Sequence, residues 1–326
     1  MTHQGYLPLA WCGWQMRIPL DWRPLRVSGN RLKGMMTVGD STQAHMQIKW
    51  LQAKSRGFVF AEWVSRRVAT LQRKDKTETE LCRLAGTDEP CRIVQSLPIR
   101  ETSRRCAYAY SREASQVIEV VSFTPFQTRH SCSPKRSQTS VSESSSETLP
   151  IQGGAHPLFS LEFSDLHSPT RWAVFDVSFI TPTGYDIETH RINLGDMAFR
   201  FAHRGGQRLV LRQVYPSETA LARREMSKWL DDRPFKEHKL LKCDQIPQTI
   251  TFDSTGTQGL LRRGRKRLPF PLHSVATRHS ISAIAHDTDF SRLLMAEYDS
   301  PSSADEEVVL QVMRDMNWHK AKGAGR

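Results

Sequence analysis

The chain has 326 residues, 38% of them hydrophobic, with eight Trp and fourteen Phe, which argues against global disorder and fits two domains of about 150 residues each. A formal net charge of +12 and a pI near 9.7 favour an anionic partner, whether nucleic acid, an acidic protein surface or anionic lipid. No stretch reaches the ~20 apolar residues that span a bilayer and no signal-peptide pattern opens the chain, so a cytoplasmic location is expected. From the N-terminus, Trp14-x-Met16-x-Ile18 with Trp22, then Val27, Met35-Met36-x-Val38 and Met46-x-Ile48-x-Trp50 put every other side chain on one face. That period predicts consecutive half-buried strands. Phe60, Val64, Val68 and Leu71 then recur at helical spacing, with Arg66, Arg67 and Lys74 elsewhere on the helix. Residues 107–110 and 117–123 read as a hairpin across 111–116.

Residues 130–154 are rich in Ser, Thr and Glu and end at Pro150 and Gly153-Gly154, a composition unable to bury enough apolar surface to offset ordering. They are expected to form a flexible linker between a first domain, 1–129, and a second, 155–326. The second domain opens on Phe175-x-Val177-x-Phe179, Pro182-x-Gly184-Tyr185, Ile192-x-Leu194-Gly195-Asp196, Met197-x-Phe199-x-Phe201 and Leu209-Val210-Leu211. These again alternate as strands. Pro216 and Ser217, with Ser217 as cap, should start a helix running through Leu221, Met226 and Trp229 to Leu230. Residues 275–285 and 293–298 predict a hairpin turning at Asp287-Thr288-Asp289, and Ser303-Ala304-Asp305-Glu306 predicts a capping box before a helix that buries Val308, Val309, Val312, Met313 and Met316.

The two halves thus share an order of strands, helix and hairpin, giving an α+β class with two related domains, each a twisted antiparallel sheet flanked by helices. Over residues 14–123 and 172–317 this order, with the Pro182-x-Gly184-Tyr185 turn, resembles the PsbP-like fold of the photosystem extrinsic protein and the Mog family of Ran-binding proteins. The resemblance is architectural and transfers no functional residue. It implies mostly non-catalytic modules that dock onto larger assemblies.

The densest charge, Arg262-Arg263-Gly264-Arg265-Lys266-Arg267, lies in a basic insertion at 234–272. On a loop these groups could neutralise phosphates or meet an acidic protein, and with one nearby ring, Phe270, they lack the aromatic interleaving of single-strand binders. Trp11, beside Cys12-Gly13-Trp14, reads as core by default and as a contact residue if exposed. The segment from Ile250 through Asp253 to Thr257 partly resembles the aspartate loop of haloacid dehalogenase-like phosphotransferases, but a Gly-containing turn accounts for it better. His273, His279 and His286 lack accompanying carboxylates at ligand spacing, and the six cysteines form no C-x-x-C pair. No metal, cofactor or catalytic residue is therefore assigned. The expected function is that of a non-enzymatic interaction or scaffold protein, a subunit or adaptor contacting a protein partner through Arg262, Arg263, Arg265, Lys266, Arg267 and Trp11, with self-association compatible. The alternative is a nucleic-acid-associated protein using the loop 262–267.

Overall fold

The computed structural model describes residues 5–53, 57–75, 79–83, 92–96, 105–123, 160–164, 167–174, 177–193, 195–232, 234–235, 246–252, 258–267 and 277–318. It resolves into two compact units, Met1–Leu7 with Met16–Phe163, and Pro8–Gln15 with Ser164–Arg326. The expected linker 130–154 lies outside the described residues.

Strands β1 (Tyr6–Trp11) and β2 (Trp14–Pro19) are joined by a two-residue turn. Both turn residues are left-handed, Cys12 at φ 50° and Gly13 at φ 86°, as a tight hairpin between right-twisted strands requires. The first unit then carries β3 (Arg23–Gly29), β4 (Lys33–Gly39), β5 (Ala44–Gln52), α1 (Phe60–Asp75), β6 (Thr79–Arg83), β7 (Arg92–Ser96), β8 (Arg105–Ser111) and β9 (Gln116–Ser122), with a short β10 (Glu162–Phe163). Seven of these form an antiparallel sheet in the order β3-β4-β5-β9-β8-β7-β6. Strand alternation separates its faces. Met36, Ile48, Val120 and Ala107 stand in one buried cross-strand row, and Trp50 and Ile118 lie in the next. Gly34, opposite Trp50, has no room for a Cβ because the indole occupies that space.

Among the described residues, the other face is covered over only half its width. Phe60, Val64 and Val68 of α1, at the helical spacing read from the sequence, pack on Cys106 and Tyr108 of β8 and Val117 and Val121 of β9. Burial there pushes the Cys106 thiol up to about 11, so little thiolate exists at neutral pH. Iodoacetamide at pH 8 should therefore leave Cys106 unmodified in the folded protein and label it after denaturation; peptide mass spectrometry finding rapid labelling of the native chain would contradict the packing.

The second unit contains β11 (Thr170–Val174), β12 (Val177–Thr181), β13 (Tyr185–Asn193), β14 (Asp196–His203), β15 (Arg208–Val214), α2 (Ser217–Arg223), α3 (Met226–Trp229), β16 (Gln248–Thr251), β17 (Gln258–Arg267), β18 (Thr277–Asp287), β19 (Arg292–Ser300), α4 (Glu306–Asp315) and β20 (Asn317–Trp318). Its large antiparallel sheet runs β13-β14-β15-β19-β18-β17-β16, the same order as in the first unit, again with the helical connection after the third strand. A smaller sheet continues from β1 through Ala10 and Ala173 to β11, β12 and β20. The two sheets meet through rings. Trp172 lies 4.9 Å from Phe201, and Phe179 lies 5.7 and 6.0 Å from Phe199 and Phe201 between ring centroids, with Trp11 joining them 5.4 Å from Trp172 and 6.0 Å from Phe199.

The β18–β19 hairpin turns where the sequence places it, and α4 buries Val309, Val312 and Met313, with Val308 half-buried and Met316 buried just past its end. Three local expectations need correction. The single helix after Pro216 is two short ones, because Arg224 is extended at φ −159°. The break lets Trp229 lie between the guanidiniums of Arg212 and Arg224, 5.1 and 5.6 Å away. Ser217 does not cap α2: it is the first helical residue, fully buried, with its Oγ 2.9 Å from Nε2 of His286. Nor does Ser303 cap α4, since Asp305 Oδ1 accepts from Glu307 N at 3.0 Å.

Candidate interaction faces

The expected basic loop 262–267 lies wholly within strand β17, and that changes what its cations can do. Alternation sends Arg262 to one face and Arg263 and Arg265 to the other, so the run is not one patch. Arg262 is buried, with Nη1 donating to Asp231 Oδ1 at 2.8 Å and Nη2 to Leu230 O at 2.8 Å. Arg263 donates to both oxygens of Glu306 on α4 and, at 2.9 Å, to Gln248 Oε1. The Glu306 carboxylate holds it above the usual guanidinium range. Arg265 is exposed, opposite His279 in the ladder. The side chains of Lys266 and Arg267 lie outside the described residues, as do Asp253, His273 and residues 268–276. Trp11 is 1% exposed and belongs to the aromatic core, so it is not a surface contact.

The sequence reading missed a set of arginines on the outer face of β13–β15. Arg212, almost fully buried, donates from Nε and Nη2 to the two oxygens of Asp196 at 2.8 and 3.0 Å and from Nη1 to Asp232 Oδ2 at 2.7 Å. Burial alone would lower its pKa; the bonds to Asp196 and Asp232 outweigh it and hold the guanidinium above its ordinary value. Arg191 donates to Asp196 Oδ2 at 2.6 Å and to Pro234 O at 2.7 Å, and Arg200 sits 2.9 Å from Glu188 and over the ring of Phe235. On this face Arg191, Arg200 and Arg212 are matched by carboxylates of the same unit, while Arg208 at the start of β15 is not among the described residues.

The corresponding outer face of the first unit is treated differently. Cross-strand neighbours Arg26 and Thr37, Ser28 and Met35, Thr37 and Gln47, Met35 and Lys49, and Lys33 and Leu51 share the half of the sheet that α1 leaves uncovered. Residues 23–52 hold five Lys or Arg and a single acid, Asp40. Asp40 is already occupied, accepting from Thr42 N and Oγ1, Gln43 N and His45 Nε2 at 2.6–2.9 Å, while Trp22 stacks on His45 at 4.5 Å. The hydroxyl of Thr42, then His45 and the two amides, keep its carboxyl well below the usual range. Among the described residues no ion pair involves Arg23, Arg26, Lys33 or Lys49. At the border with α1, Glu119 faces Lys49 across the ladder, but its two oxygens take the Arg67 guanidinium at 3.0–3.2 Å. The excess of Lys and Arg over acids in residues 23–52 was a readable signal for this face.

Among the described residues no three His, Cys, Asp or Glu side chains gather as a metal site, and no helix is long and apolar enough to cross a membrane. No family model and no curated protein matches the chain. The apo structure of the immunity protein TplEi of T6SS from Pseudomonas aeruginosa aligns with 97% of this chain and 97% of its own, at 10% identity and a TM-score of 0.31. A likeness at that level carries no statement about function.

Proposed function

We propose that the chain is a non-enzymatic interaction protein, a subunit or adaptor of a larger assembly, made of one α+β unit built twice. The observation that carries this reading is the contrast between equivalent faces: over the first three strands of each large sheet, the second unit pairs Arg191, Arg200 and Arg212 with its own carboxylates, whereas among the described residues Arg23, Arg26, Lys33 and Lys49 of the first form no ion pair. A face with unmatched charge beside exposed leucines gains by meeting a complementary surface. The shared order of strands, helix and hairpin supports reading each unit as a PsbP-like variant. The nucleic-acid alternative through 262–267 has less support, because Arg262 and Arg263 spend their donors on Asp231, Leu230, Glu306 and Gln248.

Size-exclusion of an extract in which the protein is at native abundance should place it well above the 37.3 kDa of one chain and move it toward that mass as salt is raised. Free monomer at all salt concentrations would remove the proposal.

A further inference from the structure

The unpaired cations of the first unit are spaced along the strands in a way that selects the shape of the partner. In the ladder, Lys33 lies in the row of Leu51, Lys49 in the row of Met35 and Ser28, and Arg26 in the row of Thr37 and Gln47. Successive rows on one face are two residues apart, roughly 7 Å. Each row therefore presents one positive charge, and Arg23, paired with Gly39, adds a fourth beyond the bulge between Pro24 and Arg26. An extended chain presents side chains to one side with the same two-residue repeat. The ends of the strip are apolar: Leu51 is 40% exposed beside Lys33, and Leu25, 47% exposed, lies over Gly39, where an added Cβ would sit 2.9 Å from its Cδ1.

The free edge of the same sheet does not compete well for such a partner. β3 is the terminal strand, but it carries Pro24 with a bulge beside it, the usual devices against strand addition. The face is the better docking surface.

We infer that the uncovered face of β3–β5 binds an extended acidic segment of a partner protein, with carboxylates at alternate positions meeting Lys33, Lys49 and Arg26 and apolar side chains at either end meeting Leu51 and Leu25. This rests on the interaction reading above and names the partner's chemistry. Coulombic attraction sets the encounter and the register, and the leucines supply apolar contact.

The test uses the full chain and a fluorescein-labelled peptide with Glu at alternate positions and Leu near each end, followed by fluorescence anisotropy at low salt. The peptide should bind, and the triple variant Arg26→Glu, Lys33→Glu, Lys49→Glu should weaken binding at least about tenfold while Arg265→Glu changes it less than about twofold. Circular dichroism of the triple variant should match the parent, since all three positions are on the surface of the sheet. Where the triple variant fails to fold, Lys33→Gln with Lys49→Gln keeps the same expectation at a smaller loss. Absence of peptide binding, or equal binding by the folded reversed variant, overturns the inference. So does a single-stranded oligonucleotide of equal charge that binds as tightly and is lost on the same reversals, which would assign the face to nucleic acid. A dimer in light scattering that the reversals dissolve would assign it to a second copy of this chain, with the same consequence. An assembly in extract that survives the reversals sinks this inference alone, whereas free monomer in extract sinks the broader proposal.

Discussion

Replacing Trp11 by alanine should lower the unfolding free energy by about 3–5 kcal/mol, as expected for emptying a large buried ring site. The side chain is 1% exposed, at the turn end of β1, edge-on to Trp172 at 5.4 Å and to His190 at 5.3 Å, and 6.0 Å from Phe199. These rings come from different strands of the second unit, so the cavity cannot close by moving one side chain. Phenylalanine at the same position should cost less than alanine for two reasons. It refills most of the volume, and it removes the buried Trp11 Nε1–H, which has no hydrogen-bond acceptor among the described residues. An unsatisfied buried donor costs about 1–3 kcal/mol, and losing it offsets part of the packing loss. Urea unfolding of the three proteins decides the matter. An alanine variant within about 1 kcal/mol of the parent, or a phenylalanine variant less stable than the alanine one, would contradict the placement of Trp11 in the core.

What was legible in the sequence was periodicity, and what was hidden was pairing over distance. Met46, Ile48 and Trp50, or Met197, Phe199 and Phe201, alternate without interruption because one face is core and the other is not, and the strands fall where that pattern puts them. Helix α1 was equally plain from Phe60, Val64 and Val68. In β17 the signal fails: five cations and Gly264 in six residues conceal the alternation that Leu261 and Arg262 would otherwise continue, so a strand reads as a solvated loop. Arg262 is buried only because Asp231 and Leu230, about thirty positions earlier, reach it, and no local pattern encodes that. Caps were missed for a related reason. Several hydroxyls and carboxylates near each helix start satisfy the local rule, and His286 claims the Ser217 hydroxyl from a strand distant in sequence.

The same long-range pairing gives the second large effect. Asp196→Asn should destabilise the protein by about 3 kcal/mol, whereas Arg212→Met should stay within about 1 kcal/mol of the parent. Asp196 holds Arg212 through two hydrogen bonds, at 2.8 and 3.0 Å, and Arg191 through one at 2.6 Å. Neutralising it leaves the Arg212 side chain, 7% exposed, with Asp232 as its remaining carboxylate, and a buried charge that has lost a partner is expensive. Removing the guanidinium is different. Methionine fills much of the same channel without a charge, and the carboxylates left behind are about a third exposed and keep cations of their own, Arg191 for Asp196 and Arg224 for Asp232. The double variant should then resemble Arg212→Met alone, since with the buried cation gone Asp196 serves only Arg191, itself about a third exposed. Thermal or urea unfolding of the two single variants and the double separates the terms: equal losses for Asp196→Asn and Arg212→Met would mean that the pair is held by its own attraction and not by the cost of stranding Arg212.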